Sequence, residues 1–142
     1  MCIFCRIIAG ELPASVVYED ENVIAFLDIQ CITPGHVLVI PKYHADSLVD
    51  LPKDQAANVM VVSQMIDKAL RRSELQCEGV NLFLADGRAA GQDVKHVHMH
   101  VFPRFSGDKF ELHFNPDLRE QPSRFILDEN AHKVKMALDL LV

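Results

Sequence analysis

The apolar positions of this chain change period several times, and each change marks an element. Cys5 to Ala9, closed by Gly10, predicts a short helix with a glycine cap. Val16 to Glu19 and Val23 to Asp28 predict two short strands joined by the turn residues Asp20, Glu21 and Asn22, a hairpin. Ile32-Thr33-Pro34-Gly35 breaks the chain before a β-branched strand from His36 to Pro41. Asp50-Leu51-Pro52 opens the longest helix, running to about Glu74. Its inward stripe is Ala56, Val59, Met60, Ser63, Ile66 and Leu70, and Pro52 suits the first turn. Val80 to Ala85 is a further strand, 86–92 a loop, and Val94 to Phe105 a last strand. Residues 106–122 are polar and rich in turn formers, so they read as irregular. From Ser123, Leu127, Ala131, Val134, Leu138 and Leu141 form a second helical stripe. Antiparallel-capable strands around one long helix predict an α+β domain.

Composition narrows the class. The 142 residues, 49% hydrophobic and 24% charged, suit a single globular domain that buries a normal core. A net charge of −6 argues against a broad nucleic-acid surface, while leaving room for a local phosphate pocket. No stretch approaches the roughly 20 apolar residues that span a bilayer. The N-terminus lacks the basic start and apolar segment of a signal peptide, so no membrane partner and a cytoplasmic location are expected. Disulfides are then not expected, and Cys31 and Cys77 read as ordinary free thiols.

Three local signals carry chemistry. His96, His98 and His100 alternate with Val97, Met99 and Val101. On an extended strand this places the imidazoles on one face, with about 6.5–7 Å between neighbours. Such a row suits catalysis, a three-histidine metal site, or an accidental polar edge. Just upstream, Asp86-Gly87 through Gly91-Gln92-Asp93-Val94 suits either a phosphate-cradling loop, with Gln92 adding a neutral amide, or a plain hairpin turn. Cys2-x-x-Cys5 supplies two thiolates at zinc-binding spacing, with His44 and His96 as candidate further ligands. A redox dithiol is the rival, although that motif ordinarily follows a strand and opens a helix.

Taken together, these stretches resemble the histidine-triad family. His96-Val-His-Met-His-Val101 matches its His-φ-His-φ-His-φ signature, with φ apolar. Cys2-Ile-Phe-Cys-Arg-Ile-Ile-Ala-Gly-Glu-Leu-Pro13, Tyr18-Glu-Asp-Glu21, Ala25-Phe-Leu-Asp-Ile29, Thr33-Pro-Gly-His36, Val39-Ile-Pro-Lys42, Ala90-Gly-Gln92 and Val101-Phe-Pro-Arg104 follow the family's order and spacing. The likeness covers about residues 2–105, leaving 106–142 as a C-terminal extension.

The resemblance implies an antiparallel sheet of about five strands with one long helix and a C-terminal helix, in a homodimer joined sheet edge to sheet edge. It implies cleavage at the α-phosphate of a purine nucleoside phosphoramidate or phosphoanhydride, through a nucleotidyl-histidine. His98 would be the nucleophile, His100 would contact the phosphate, and His36 would lie beside the nucleophile. Gln92, with the backbone around Gly91, Asp93 and Val94, would hold phosphate oxygens. Asp28 and Ile29 would bind the ribose, and Phe4, Ile7 and Phe26 would line the base pocket. Cys2, Cys5, His44 and His96 would form a closed set around one structural zinc per chain, so that His96 braces the nucleophile strand. Dinucleoside polyphosphate hydrolysis and a non-catalytic nucleotide-binding module are the alternatives. The former calls for cations such as Arg88, Lys95 or Arg104, which otherwise read as solvated surface residues.

Two positions qualify the match. Ala85 stands where many hydrolase-like members carry asparagine, and Asp93 where phosphoramidase-like members often carry serine. Asp93 would act as an acid only with a raised pKa; ionised, it would repel polyphosphate and attract an amine, or it would contribute only its backbone N–H. Val97 replaces the proline of the uridylyltransferase branch, which also differs in being far longer.

Overall fold

The computed structural model describes residues 2–113 and 121–141. It contains α1 (Ile3–Ile8), β1 (Val16–Glu19), β2 (Val23–Leu27), β3 (Val37–Pro41), α2 (Lys53–Arg72), β4 (Gly79–Phe83), β5 (Met99–Arg104) and α3 (Arg124–Asp139), with short 3-10 turns at Leu48–Asp50 and Arg88–Ala90. The five strands form one sheet in the order β1-β2-β3-β5-β4. Every pairing is antiparallel, so the fold is the expected α+β arrangement. The chain divides into two compact units: Met1–Phe110 holds the sheet, and Glu111–Val142 holds α3. No helix among the described residues is long and apolar enough to cross a membrane.

The period-two alternation gives the sheet two different faces. Val23, Ala25, Val37, Val39, Met99 and Val101 point to one side, where Val59, Val62, Ile66 and Leu70 of α2 pack on them. Ile24, Phe26, Leu38 and Ile40 point to the other side and meet Phe4 of α1. Because α1 is only six residues long, it leaves part of that second face open. The candidate site side chains lie there.

Several boundaries differ from expectation for identifiable reasons. Met60 is 52% exposed, and Val62 takes the inward place, because one helical step turns Met60 about 100° from Val59. Ser63 remains inward by donating its hydroxyl to the Val59 carbonyl at 2.7 Å. α1 starts at Ile3 rather than Cys5, and β4 ends at Phe83, opposite His100. β5 begins only at Met99, whose partner is Val39. Before it, His96 N–H bonds the Val94 carbonyl and Val97 N–H bonds the Ala45 carbonyl, so 94–98 is an irregular run-in rather than strand. The alternation nevertheless persists: Val97 is buried with Ala45 and Leu51, and the histidines face away from α2. Ser123 caps α3 by accepting from Ile126 N–H, while Val134, Leu138 and Leu141 of the expected stripe are exposed. Residues 106–113 are irregular as read, and 114–120 of that segment lie outside the described residues.

Candidate functional site

The turn before β3 places the first candidate histidine. Gly35 has φ +93°, a conformation that favours glycine, and a Cβ there would meet the Leu75 and Leu70 side chains. The turn closes with His36 N–H on the Thr33 carbonyl, and His36 emerges 2% exposed. Ile32 N–H donates to His36 Nδ1 at 3.1 Å. A backbone N–H only donates, so Nδ1 accepts and the ring proton sits on Nε2. That proton points to His100 Nδ1, 2.9 Å away, which leaves the N–H of a neutral His100 on Nε2. Asp28 flanks the pair, its Oδ2 3.7 Å from His36 and 4.0 Å from His100. Burial keeps His36 below its ordinary pKa; burial, with His98 and His36 alongside, pushes His100 down to about 4.

The same reasoning fixes His98. Its Nδ1 lies 2.7 Å from the His96 carbonyl, which only accepts, so Nδ1 carries the proton and Nε2 is the free nitrogen. The His98 and His100 ring centroids are 4.9 Å apart, and Phe4 abuts His98 edge-on at 5.2 Å. Beside them opens a cavity of about 850 Å³, a suitable size for a small ligand. Its walls include Phe4, Ile7, Phe26, Asp28, Ile29, Gly91, Asp93, Val94, His98 and His100. His36 stands behind His100. Leu12, Pro13, Ala14 and Ser15 also line the cavity, and the apolar Leu12-Pro13 pair in an otherwise polar connection was the available signal for them.

Gln92 is placed differently from expectation. Its amide donates to the Asp46 carbonyl at 2.7 Å and the Val94 carbonyl at 3.1 Å, and its oxygen accepts from Gly87 N–H at 2.8 Å. Both amide hydrogens are committed, and the side chain is absent from the cavity wall. Arg104 is likewise committed, to Asp108 and Asn81 at 2.6 Å and to the Phe110 carbonyl at 2.7 Å. Arg88 does not line the cavity, and Lys95 lines a separate shallow recess beside His44 and Asp93. Ala85 is buried.

On the other side of Phe4, four donor atoms converge. The sulfurs of Cys2 and Cys5 and one ring nitrogen each from His44 and His96 lie within 4.8 Å of one another. His96 Nε2–H donates to the Pro41 carbonyl at 2.8 Å, and His44 Nε2–H donates to the Asp46 carboxylate at 3.0 Å. Both Nδ1 lone pairs therefore face inward, 3.1 Å apart, with neither able to donate to the other. Each lone pair also lies within reach of a thiol, Cys5 Sγ 3.3 Å from His44 and Cys2 Sγ 3.5 Å from His96, so a cation taken up here would replace thiol protons. Tetrahedral zinc at ordinary bond lengths separates two ligand nitrogens by about 3.3 Å, and nitrogen from sulfur by about 3.6 Å. Three of the four nitrogen–sulfur distances here are 3.3, 3.5 and 3.7 Å, so the donor set fits zinc. Burial and the adjacent Cys2 push the Cys5 thiol up from its ordinary value, which a bound dication would reverse. Asp46 was not anticipated, although a carboxylate two residues after a candidate ligand histidine is a readable sign. The second cluster of possible ligands among the described residues, Asp28, His36 and His100, is accounted for by the hydrogen-bond chain already described.

A family model describing the HIT domain matches residues 9–107. The chain belongs to the HIT family. An uncharacterized HIT-like protein of Methanocaldococcus jannaschii is 46% identical over 124 residues, covering 84% of this HIT chain and 95% of the relative. The adenosine 5′-monophosphoramidase of Candida albicans is 41% identical over 106 residues, 72% of this chain and 70% of that one. Among solved structures, a zinc-bound histidine triad family protein from Mycobacterium smegmatis aligns with TM-score 0.75 at 46% identity, covering 84% of this chain and 86% of that one. A histidine triad nucleotide-binding protein from Candida albicans aligns over 100% of both chains with TM-score 0.88 at 32% identity. Zinc is thus bound by one structural relative, and some family members are adenosine monophosphoramidases.

Proposed function

We propose that the protein hydrolyses a purine nucleoside 5′-phosphoramidate, or a related mixed anhydride, by transferring the nucleotidyl group to His98 and then to water. The observation that carries this reading is the fixed tautomer of His98: Nδ1–H is held by the His96 carbonyl at 2.7 Å, and Nε2 is left as a lone-pair nucleophile on the cavity wall. Attack by Nε2 on the α-phosphorus forms a P–N bond as the bond to the leaving group breaks, its electron pair departing with that group. Water then attacks phosphorus as the P–N bond breaks and its electron pair returns to Nε2; the proton water gives up balances the one the departing amine takes, so the monophosphate leaves and His98 is neutral again.

The neighbours suit that sequence. His100, its Nδ1 occupied by His36, presents an Nε2–H donor for a phosphoryl oxygen on which charge grows. Its depressed pKa keeps it neutral at physiological pH, so it does not add a positive charge beside a histidine that must remain unprotonated to attack. Asp28 suits the paired hydroxyls of a ribose, and Phe4, Ile7 and Phe26 form apolar walls for a base. Phosphate contacts fall to the backbone of Gly91, Asp93 and Val94, because the Gln92 amide is engaged elsewhere. Cys2, Cys5, His44 and His96 would hold zinc with no open position, a structural ion that ties the N-terminus to the nucleophile segment.

Two carboxylates, Asp28 and Asp93, line the cavity, and Arg104 is tied down. An acidic wall favours an amine leaving group over a trailing polyphosphate, which supports a phosphoramidate over a dinucleoside polyphosphate. The kinship to monophosphoramidases points the same way. The reading includes a cytoplasmic homodimer whose motif-bearing core spans about residues 2–105.

Turnover of adenosine 5′-phosphoramidate and diadenosine tetraphosphate by wild type and His98→Ala tests the reading. The phosphoramidate is expected to be the better substrate, and the substitution is expected to reduce kcat/KM by on the order of 10⁴-fold or more. Brief reaction with phosphorus-labelled substrate should leave label on His98. Activity surviving in His98→Ala would overturn the mechanism, and tight nucleotide binding without turnover would make the protein a binding module.

A further inference from the structure

The five residues from His44 to Leu48 join two features that the sequence presents as separate. His44 is a metal-ligand candidate. The Ala45 carbonyl accepts from Val97 N–H at 2.9 Å, and the Asp46 carbonyl accepts from the Gln92 amide at 2.7 Å. Ser47 Oγ and Leu48 N–H both donate to the Asp86 carboxylate, at 2.7 and 2.9 Å. The loop from Asp86 to Val97 is thus fastened at three places to one short segment that begins with a metal ligand. That loop supplies Gly91, Asp93 and Val94 to the cavity wall.

The two histidines at the metal centre respond differently to a cation. His96 is fully buried, with Nε2–H on the Pro41 carbonyl and Phe4 packed 5.9 Å from its ring. Packing holds that ring whether or not metal is present. The His44 side chain is 42% exposed, and among the described residues its polar contacts outside the donor cluster reduce to the Asp46 carboxylate, itself 54% exposed. Exposed contacts of this kind order a side chain weakly, so a cation is what would pin His44.

We propose that metal occupancy is transmitted to the nucleotide site through His44 and its segment, not mainly through His96, with Gln92 as the positioning residue that carries it. The inference rests on the zinc and nucleotide readings above. Its bridge is the Gln92 amide, which grips Asp46 on one side and Gly87 and Val94 on the other. Linkage makes the coupling reciprocal: if zinc orders the loop for nucleotide, nucleotide tightens zinc by the same factor.

Competition for zinc against a chromophoric chelator, without and with saturating adenosine monophosphate, reads this without any turnover. In wild type the nucleotide is expected to tighten zinc by about fivefold or more. In Gln92→Ala, zinc still binds at one per chain but the nucleotide effect is lost. Gln92→Glu, which keeps the acceptor for Gly87 N–H and gives up both donors, should behave likewise and covers the case in which the alanine variant folds poorly. Full coupling in either folded variant, or a wild type whose zinc affinity ignores nucleotide, overturns the proposal. A wild type that binds no adenosine monophosphate refutes the nucleotide reading instead, and a wild type that binds no zinc refutes the metal reading; each takes the inference with it.

Discussion

At the scale of single residues, the histidines are ordered by what each must donate or accept. Ile32 N–H fixes His36, His36 fixes His100, and the His96 carbonyl fixes His98. The residue types of the hexapeptide do not reveal these partners, because two are backbone groups and the third lies 64 residues away. The triad spacing named the chemistry but not the tautomers. One measurable result concerns acid. Neutral His100, at about 4, lies below its ordinary 6.5, so the unfolded chain takes up a proton from pH 6.5 downward that the folded chain refuses until about pH 4. Stability is therefore fully retained above pH 6.5 and lost progressively as pH falls toward 4. At pH 5 the loss attributable to His100 is about 2 kcal/mol. In thermal melts between pH 7.5 and pH 5, His100→Asn should lose less Tm than wild type, by about 4–8 °C. Equal losses would mean that His100 is not held neutral by burial.

At the scale of elements, α1 depends most on chemistry outside its own sequence. Six residues make a helix too short to persist unaided. Phe4 anchors it against Ile24, Phe26, Leu38 and Ile40, and the two thiols at its start would anchor it to metal. Chelation of zinc should therefore release the N-terminal segment first. Hydrogen exchange of the zinc-loaded protein and of the chelated protein should show protection lost across residues 3–9 while β2 and β3 stay protected. Loss spread evenly over the sheet would contradict a local anchor. The strands β1, β2 and β3 were legible from β-branched runs between turn formers. The start of β5 was not, because Val97 keeps the alternation while its N–H bonds a loop carbonyl instead of a neighbouring strand. Period reports which side a residue faces; it does not report the partner of its backbone.

At the scale of the whole molecule, the sheet ends on β4, whose Leu82 and Phe83 are 40% and 49% exposed. Met60, Val61 and Met65 on α2 are exposed as well. An edge strand and an apolar helix face left in water are liabilities that a second copy of the chain removes. The proposed homodimer predicts a sedimenting mass of twice the 16.0 kDa chain, with Leu82→Lys shifting the protein toward monomer. A wild type that sediments as monomer at micromolar concentration would remove this reading. The Gln92 contacts were hidden from the sequence for a reason of the same scale: the Asp46 carbonyl reaches Gln92 across 46 positions, and main-chain acceptors leave no trace in side-chain patterns.

The placement of Phe4 has a practical use. Its ring centroid lies 5.9 Å from that of His96 in the cysteine–histidine cluster, 5.2 Å from that of His98 and 5.9 Å from that of Phe26 on the cavity wall. The chain contains no tryptophan. An indole introduced at position 4 would be its sole tryptophan fluorophore, standing on the partition between two compartments. A single emission spectrum would then record the filling of either one.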